Sequence, residues 1–107
     1  MTPAELFGKR VRVARKTAGL TLEKTAEKAQ LNSNHLSQIE RGTRRPSFEV
    51  IFVLARVLNV PAMTFFVFER EENDEKTLRR KIDRLLQDLP IEQLGQTFRF
   101  LKFVVGR

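Results

Sequence analysis

The sequence contains no cysteine and only one histidine, His35, among its 107 residues. Without cysteine, the protein has no disulfide framework, no thiolate metal site and no thiol nucleophile. A single histidine leaves little for a metal cage, and neither a Gly-rich phosphate loop nor a metal-spaced cluster of ligands is visible. We therefore predict no catalytic site, no cofactor and no metal, and the sequence argues against an enzyme.

Long apolar stretches are also missing. No segment approaches the roughly 20 apolar residues that a membrane-spanning helix needs, and the N-terminus lacks the basic flank and apolar core of a signal peptide. We expect a cytoplasmic protein without a membrane partner. The hydrophobic fraction of 41% and the charged fraction of 31% suit a folded chain, long enough for one domain or for a small domain with an appendage.

The basic side chains are unevenly distributed along the chain. Residues 1–68 contain 11 Lys and Arg against 5 Asp and Glu, a balance of +6, whereas residues 69–107 contain 9 against 8, a balance of +1. The first part is therefore the candidate for contact with a polyanion. A basic surface equally serves solubility or an acidic protein partner, so charge alone does not decide between these.

Hydrophobic periodicity and capping residues predict helices throughout. In the first part of the chain we expect helices over residues 3–18, from a cap at Thr21 to about Ala29, from a cap at Asn32 to just before Gly42, from a cap at Ser47, and from Pro61 through Met63, Phe65 and Phe66. The helix after Ser47 has a predicted buried stripe: Phe48, Ile51, Leu54, Ala55 and Leu58. The second and third helices meet at a three-residue turn, which is the layout of a helix-turn-helix.

Residues 19–47 read GLTLEKTAEKAQLNSNHLSQIERGTRRPS, and with the flanking helices they resemble the lambda-repressor-like (XRE-type) helix-turn-helix family. The resemblance covers roughly residues 6–67 and is most specific at Gly19-Leu20-Thr21, Ala26, the run from Leu36 to Gly42, and Pro46-Ser47. It implies an all-α, five-helix DNA-binding domain over residues 1–68. The function it implies is a sequence-specific transcriptional regulator of double-stranded DNA, and we expect a dimeric repressor.

The resemblance also implies roles for the third helix, which is the one that enters the major groove. Asn32 caps it, and the base-reading positions are Ser33, Asn34 and Gln38. Amides of Asn and Gln can both donate to and accept from adenine, and Ser can do either with less discrimination. His35 and Ser37 are further candidates for DNA contact. The alternative for all five is an ordinary solvated helix face.

A second group of residues is expected to contact the DNA backbone: Thr21, Arg41, Thr43, Arg44 and Arg45. The fixed fork of donors on arginine pairs with phosphate oxygens, and Arg44 or Arg45 could instead enter a narrow minor groove. A solubilising basic loop is the alternative reading of the segment after Gly42.

Family members commonly pair an Arg of the first helix with the Glu after the recognition helix, and Arg15 and Glu40 occupy these positions. We predict a structural ion pair there. Two departures from the family pattern stand out. Leu22 replaces a Gln that clamps phosphate, with Thr25 in place of the usual Leu, and Gln30 replaces the Gly of the turn. Gln30 is therefore expected to adopt a positive φ, at a cost of about 1 kcal/mol.

A polar, mostly acidic stretch from Glu69 to Asp74 marks the predicted boundary with a C-terminal two-helix extension, residues 69–107. Apolar residues at helical spacing recur on both helices, the first of which ends at Pro90: Leu78, Ile82, Leu85 and Leu89, then Ile91, Leu94, Phe98, Leu101 and Val105. Their combined apolar face is too large for a free hairpin to hide. We favour homodimerisation through Leu78, Ile82, Leu85, Leu89, Leu94, Phe98 and Leu101.

Other surfaces could cover this apolar face. It could dock on the same chain through Phe65, Phe66 and Phe68, or lie on a membrane, which the nearby acidic residues Asp83, Asp88 and Glu92 disfavour. It could also hold a different protein, as in an antitoxin that silences a neighbouring toxin. That protein-interaction module is the main functional alternative to a DNA-binding regulator.

Overall fold

The structure, a computed structural model, describes residues 1–67 and 74–106, and every regular element in these ranges is helical. In chain order the elements are α1 Pro3–Thr17, α2 Leu22–Ala29, α3 Ser33–Arg41, α4 Phe48–Leu58, a 3₁₀ helix Ala62–Phe66, α5 Glu75–Leu86 and α6 Ile91–Val105. The predicted all-α fold is confirmed. The chain forms two compact units, Met1–Phe68 and Glu69–Arg107. No helix in the described ranges is long and apolar enough to cross a membrane.

Helices α2, α3 and α4 are each capped by the side chain of the residue that precedes them. Thr21 accepts from the backbone N–H of Lys24, Asn32 from that of Asn34 and Ser47 from that of Val50, at 2.7–3.2 Å. Each cap satisfies an N–H that the helix cannot pair internally, which contributes about 1 kcal/mol. These short polar side chains therefore determine where α2, α3 and α4 begin, as predicted.

The core of the first unit is built by the inward faces of the helices. Its largest fully buried side chains are Phe65, Leu36, Ile39, Leu54, Val11 and Thr25. The rings of Phe7 and Phe65 meet edge to face with centroids 5.4 Å apart. Thr25 enters this core without leaving its hydroxyl unsatisfied, because Oγ1 donates to the carbonyl oxygen of Thr21 at 2.9 Å. A threonine can therefore stand where the family has leucine.

Gly8 lets the backbones of α1 and α3 pack directly against each other. A Cβ placed on Gly8 would collide with the carbonyl oxygens of Ile39 and Glu40, and the second of these lies 2.6 Å from it. Both obstacles are backbone atoms at the C-terminal end of α3, so a rotamer change cannot relieve the clash. The absence of a side chain at this position therefore sets the spacing between the two helices.

A residue with positive φ ends each of the two helices of the helix-turn-helix. Gln30, after α2, has φ 57° and ψ 40°, and Gly42, after α3, has φ 76° and ψ 15°. The predicted positive φ of Gln30 is confirmed. In this left-handed conformation Leu31 N donates to the carbonyl oxygen of Ala26 at 2.8 Å, which closes α2 and turns the chain toward α3.

Three details differ from the sequence prediction. The segment after Pro61 forms a 3₁₀ helix, with Thr64 N donating to the carbonyl oxygen of Pro61 at 2.9 Å, because five residues are too few for a stable α-helix. Phe48, placed in the buried stripe, is 56% exposed, since it is the first residue of α4 and lies beyond the core. Finally, α5 ends at Leu86, so Leu89 lies outside it, in the conformationally restricted position before Pro90.

Two aromatic residues of the 3₁₀ helix differ in exposure. Phe65 is 0% exposed. Phe66 is 36% exposed and its ring lies 5.3 Å from that of Phe7. Phe68 lies outside the described residues.

The second unit contains no buried residue in either of its helices. Asp74 caps α5 by accepting from the backbone N–H of Thr77 at 3.0 Å. The apolar side chains of α5 and α6 remain accessible: Ile82 is 52% exposed, Leu85 77%, Phe98 63% and Leu101 45%. Exposed apolar side chains along both helices are typical of a surface that another molecule covers.

We predict that Gly8→Ala lowers the free energy of unfolding by about 1–3 kcal/mol, because the added methyl group forces α1 away from α3. Urea denaturation measures the change. The matched control is Gly95→Ala in α6, where a Cβ would meet only Arg99 Nη1 at 3.7 Å. That variant should keep or gain stability through helix propensity. Equal stability of the two variants would contradict the close approach.

Candidate nucleic-acid interface

Helix α3 has one side in the core and the other in solvent. Leu36 and Ile39 are both 0% exposed, which fixes how the helix is rotated about its own axis. As a result Ser33 and Asn34, in its first turn, are exposed, while His35, Ser37 and Gln38 are half-buried. The predicted base-reading residues therefore lie together on α3, and the first turn of the helix is open to a large ligand.

Arg15 and Glu40 hold α1 and α3 together in the predicted pairing. Arg15 Nε donates to Glu40 Oε2 at 2.7 Å and Nη2 donates to Oε1 at 3.1 Å, so the contact is bidentate. The third nitrogen, Nη1, donates to the carbonyl oxygen of Leu20 at 2.9 Å. Only 11% of the Arg15 side chain and 7% of the Glu40 side chain are exposed. One guanidinium therefore joins α1, the turn before α2 and the end of α3.

The hydrogen bonding of Arg15 to the Glu40 carboxylate raises the pKa of the guanidinium above its ordinary value, against the opposing effect of burial. A raised pKa means that the stabilisation is fully present below the ordinary pKa of arginine and is lost only as pH rises through the raised one. Arg15 is thus charged at every pH at which DNA binding would be assayed.

The loop after α3 is anchored at its start and open beyond it. Both the backbone N–H and the hydroxyl of Thr43 donate to the carbonyl oxygen of Gln38, at 3.0 and 3.2 Å. Arg44 and Arg45 follow and are exposed. Arg41, in the last turn of α3, is also exposed, and its Nε donates to the carbonyl oxygen of Ser37 at 3.4 Å. Three arginines therefore follow the predicted base-reading residues within a short stretch of chain.

At the start of α2, Thr21 uses its oxygen as the cap acceptor, so its hydroxyl hydrogen remains able to donate. Leu22, the next residue, packs against the hydrophobic core. The side chain at the position of the family's glutamine therefore contributes to the core and offers no hydrogen bond to DNA.

An open cleft of about 250 Å³ lies beside α3, lined by Arg12, Arg15, Leu22, Ser37, Glu40 and Arg41. Residues of α1, the first residue of α2 and the second half of α3 meet around this cleft. Arg12 is the one residue of this lining on α1 for which no role was predicted from the sequence. The available signal was its spacing, since a residue three positions before Arg15 lies on the same face of α1.

The residues predicted to form a dimer lie in the second unit, with Leu78 37% exposed and Leu94 half-buried. In the described ranges no group of His, Cys, Asp or Glu is arranged to hold a metal ion.

A core-anchored helix with an exposed first turn, preceded by a short capped helix and followed by a basic loop, defines a DNA-binding helix-turn-helix protein. The sequence pattern of the helix-turn-helix family matches residues 11–65. The chain belongs to the lambda-repressor-like (XRE-type) branch of that family and is a DNA-binding transcriptional regulator. The family predicted from the sequence is thereby confirmed.

Similar proteins support this assignment. The chain is 33% identical over 90 residues to the HTH-type transcriptional regulator ImmR of Bacillus subtilis, and the match covers 80% of this chain and 69% of ImmR. The restriction-modification controller protein C.AhdI from Aeromonas hydrophila has a similar crystal structure, with a TM-score of 0.58 and 32% identity, covering 59% of this chain and 96% of that one. A chain of the SinR protein/SinI protein complex gives a TM-score of 0.56 and 25% identity, covering 94% and 99%. The matched segment spans only 43% of two uncharacterized regulators from Mycobacterium tuberculosis.

We predict that Arg15→Met and Glu40→Ala each lower the free energy of unfolding by about 3 kcal/mol, because each leaves the partner charge buried without its counter-ion. The double variant should lose clearly less than the sum of the two. Urea denaturation of the three variants measures this coupling.

The control for this pair is Glu27→Ala. Glu27 forms an exposed pair with Lys24 at 3.9 Å, and loss of such a surface pair changes stability by less than about 1 kcal/mol. If Glu40→Ala proved as mild as Glu27→Ala, the Arg15–Glu40 contact would not be what holds α3 in place.

Proposed function

We propose that the protein is a homodimeric, sequence-specific repressor that reads the major groove of double-stranded DNA with the exposed first turn of α3. The observation that supports this most directly is the orientation of α3. Its inner side is held by Leu36, Ile39 and the bidentate Arg15–Glu40 contact, so Ser33 and Asn34 are left facing outward on a rigid support. The major groove, about 12 Å wide, accepts one helix presented in this way.

The proposed roles follow from side-chain chemistry. Ser33, Asn34 and Gln38 contact base edges, with His35 and Ser37 beside them, and an Asn or Gln amide can form two hydrogen bonds to adenine. The contacts to phosphate come from Thr21, Arg41, Thr43, Arg44 and Arg45. Phosphate contacts supply affinity and register, whereas base contacts supply the choice of sequence.

Dimerisation is proposed to occur through the accessible apolar residues of α5 and α6. A two-fold dimer doubles the number of bases read, with half-sites about 34 Å apart, one turn of DNA. The leading occupant of this surface is a second copy of the chain. A different protein is the second candidate, favoured by the similarity to a chain from a complex of two proteins, SinR and SinI.

Gln38→Ala should weaken binding to the preferred duplex by about 1–3 kcal/mol while leaving binding to random DNA nearly unchanged, because a base contact is lost. Arg44→Ala should weaken both in the same proportion, because a phosphate contact is lost. Selection of bound fragments from random DNA provides the preferred site, and fluorescence anisotropy gives the affinities. Proportional losses for both variants would show that the assigned roles are wrong.

Leu85→Glu is expected to convert a dimer into a monomer in sedimentation velocity, because a charge would be placed in the apolar contact. The control is Arg80→Glu, which introduces the same carboxylate on the opposite side of α5 and should leave the dimer intact. A wild-type chain that stays monomeric, yet co-purifies from its host with a second protein in equal amount, would replace homodimerisation by the second candidate.

A further inference from the structure

We infer that Arg12 of α1, together with Arg41 of α3, binds a phosphate group of the DNA backbone in the cleft beside α3. This inference rests on the proposed function, because it adds a contact to the same DNA complex. Arg12 contributes from a helix outside the helix-turn-helix itself. The cleft is therefore a phosphate site to which α1 and α3 each supply one arginine.

The charges that line the cleft leave a positive excess. Three arginines and one carboxylate line it, and that carboxylate, Glu40, is engaged by Arg15 through two hydrogen bonds. No carboxylate within residues 1–67 and 74–106 forms an ion pair with Arg12 or Arg41. Both of these side chains are exposed. Among the described residues, Arg12 and Arg41 therefore have no counter-ion, and an anion can reach both.

The composition of the cleft also makes these arginines necessary. Leu22 lines it with an apolar side chain, and Arg41 Nε, which also lies there, donates to the carbonyl oxygen of Ser37 at 3.4 Å. Glu23 is the nearby opposing charge, since it adds to the effect of Glu40 on Arg15. A guanidinium offers several N–H donors in one plane, which matches phosphate oxygens. Because the Leu22 side chain cannot donate a hydrogen bond, we expect Arg12 and Arg41 to supply the charged donors to the phosphate.

The position of the cleft fits the DNA backbone. A helix with its side chains is about 10–12 Å across, so it fills a major groove about 12 Å wide and has phosphates along both of its sides. The cleft opens on the side of α3 that includes Ser37 and Arg41. When the first turn of α3 faces the bases, a backbone phosphate borders this side. The same chemistry would accept free inorganic phosphate, which the experiment must distinguish.

The experiment compares Arg12→Gln with Arg56→Gln in the full chain, over a series of salt concentrations. Arg56 is exposed in the last turn of α4 and does not line the cleft, so this control loses the same charge elsewhere. For Arg12→Gln we expect the slope of log K against log salt to fall by about 0.9, with roughly equal losses on preferred and random DNA. Arg56→Gln should keep the wild-type slope, and Arg12→Lys, which keeps the charge, should nearly keep it.

A duplex series with one neutral methylphosphonate at a time locates the contact. Neutralising the contacted phosphate should weaken wild-type binding but cause no further loss in Arg12→Gln, because the two changes remove the same interaction. Inorganic phosphate should compete with DNA no better than chloride at equal ionic strength. If phosphate bound the cleft while Arg12→Gln left DNA binding unchanged, the site would be one for free phosphate and the inference would be overturned.

The failures of the two proposals are distinguishable. A wild-type chain that ignores duplex DNA at low salt would overturn the proposed function. A wild-type chain that binds DNA, with Arg12→Gln indistinguishable from Arg56→Gln, would overturn only the role of Arg12.

Discussion

The contact between α1 and α3 determines the direction in which the proposed reading helix points. Gly8 brings the two backbones together, and Arg15 then ties Glu40 to the turn before α2. An isolated α-helix has no preferred rotation about its own axis in the major groove, so tertiary contacts have to fix that rotation. Here the fixed side includes Leu36 and Ile39, so the opposite side is presented without further reorganisation. This preorganisation matters because ordering a mobile helix on DNA would consume part of the binding free energy.

The contact between α1 and α3 also distinguishes an arginine that stabilises the fold from arginines that remain available to a ligand. Arg15 is close to Arg12 and Arg41 in the cleft, yet its donors are used by Glu40 and Leu20. Removing it would expose a buried carboxylate in a surface that has to attract phosphate, which would harm both folding and the local potential. Arginines of identical chemistry thus differ in availability, because Arg15 has a buried partner whereas Arg12 and Arg41, the proposed phosphate ligands, are exposed.

Much of this arrangement could be predicted from local sequence. Thr21, Asn32 and Ser47 act as caps through interactions with the next few residues, and the strain at Gln30 follows from one backbone position, so neighbouring residues were sufficient. Among features that depend on distant parts of the chain, the Arg15–Glu40 pair was predicted from the family resemblance, but the role of Gly8 was missed. Gly8 looks like a weak point within a helix, where glycine costs about 1 kcal/mol relative to alanine. Its benefit appears only when α3, more than 25 residues away, is placed against it.

The other errors have the same origin. Phe48 and Leu89 matched the periodicity of their helices, but periodicity does not show where a helix meets its neighbour or where it ends. At the site, the sequence motif indicated candidate residues on α3 and its loop because these are contiguous. Arg12 lines the cleft beside them because α1 packs on α3, and its spacing from Arg15 was the only signal in the sequence. Candidates on the helix-turn-helix could therefore be proposed from sequence, whereas the position of Arg12 required coordinates.

The small number of contacts that one copy can make explains why the second unit matters. A single helix reads only a few base pairs, and the phosphate contacts of one unit supply an affinity that salt weakens steeply. Joining two copies makes the second binding event intramolecular, so affinity and the number of bases read rise together without any new type of contact. The accessible apolar residues of α5 and α6 are costly to leave in water, and the proposed dimerisation would recover this cost. The surface that makes the isolated chain unfavourable is therefore the one that would make its DNA complex specific.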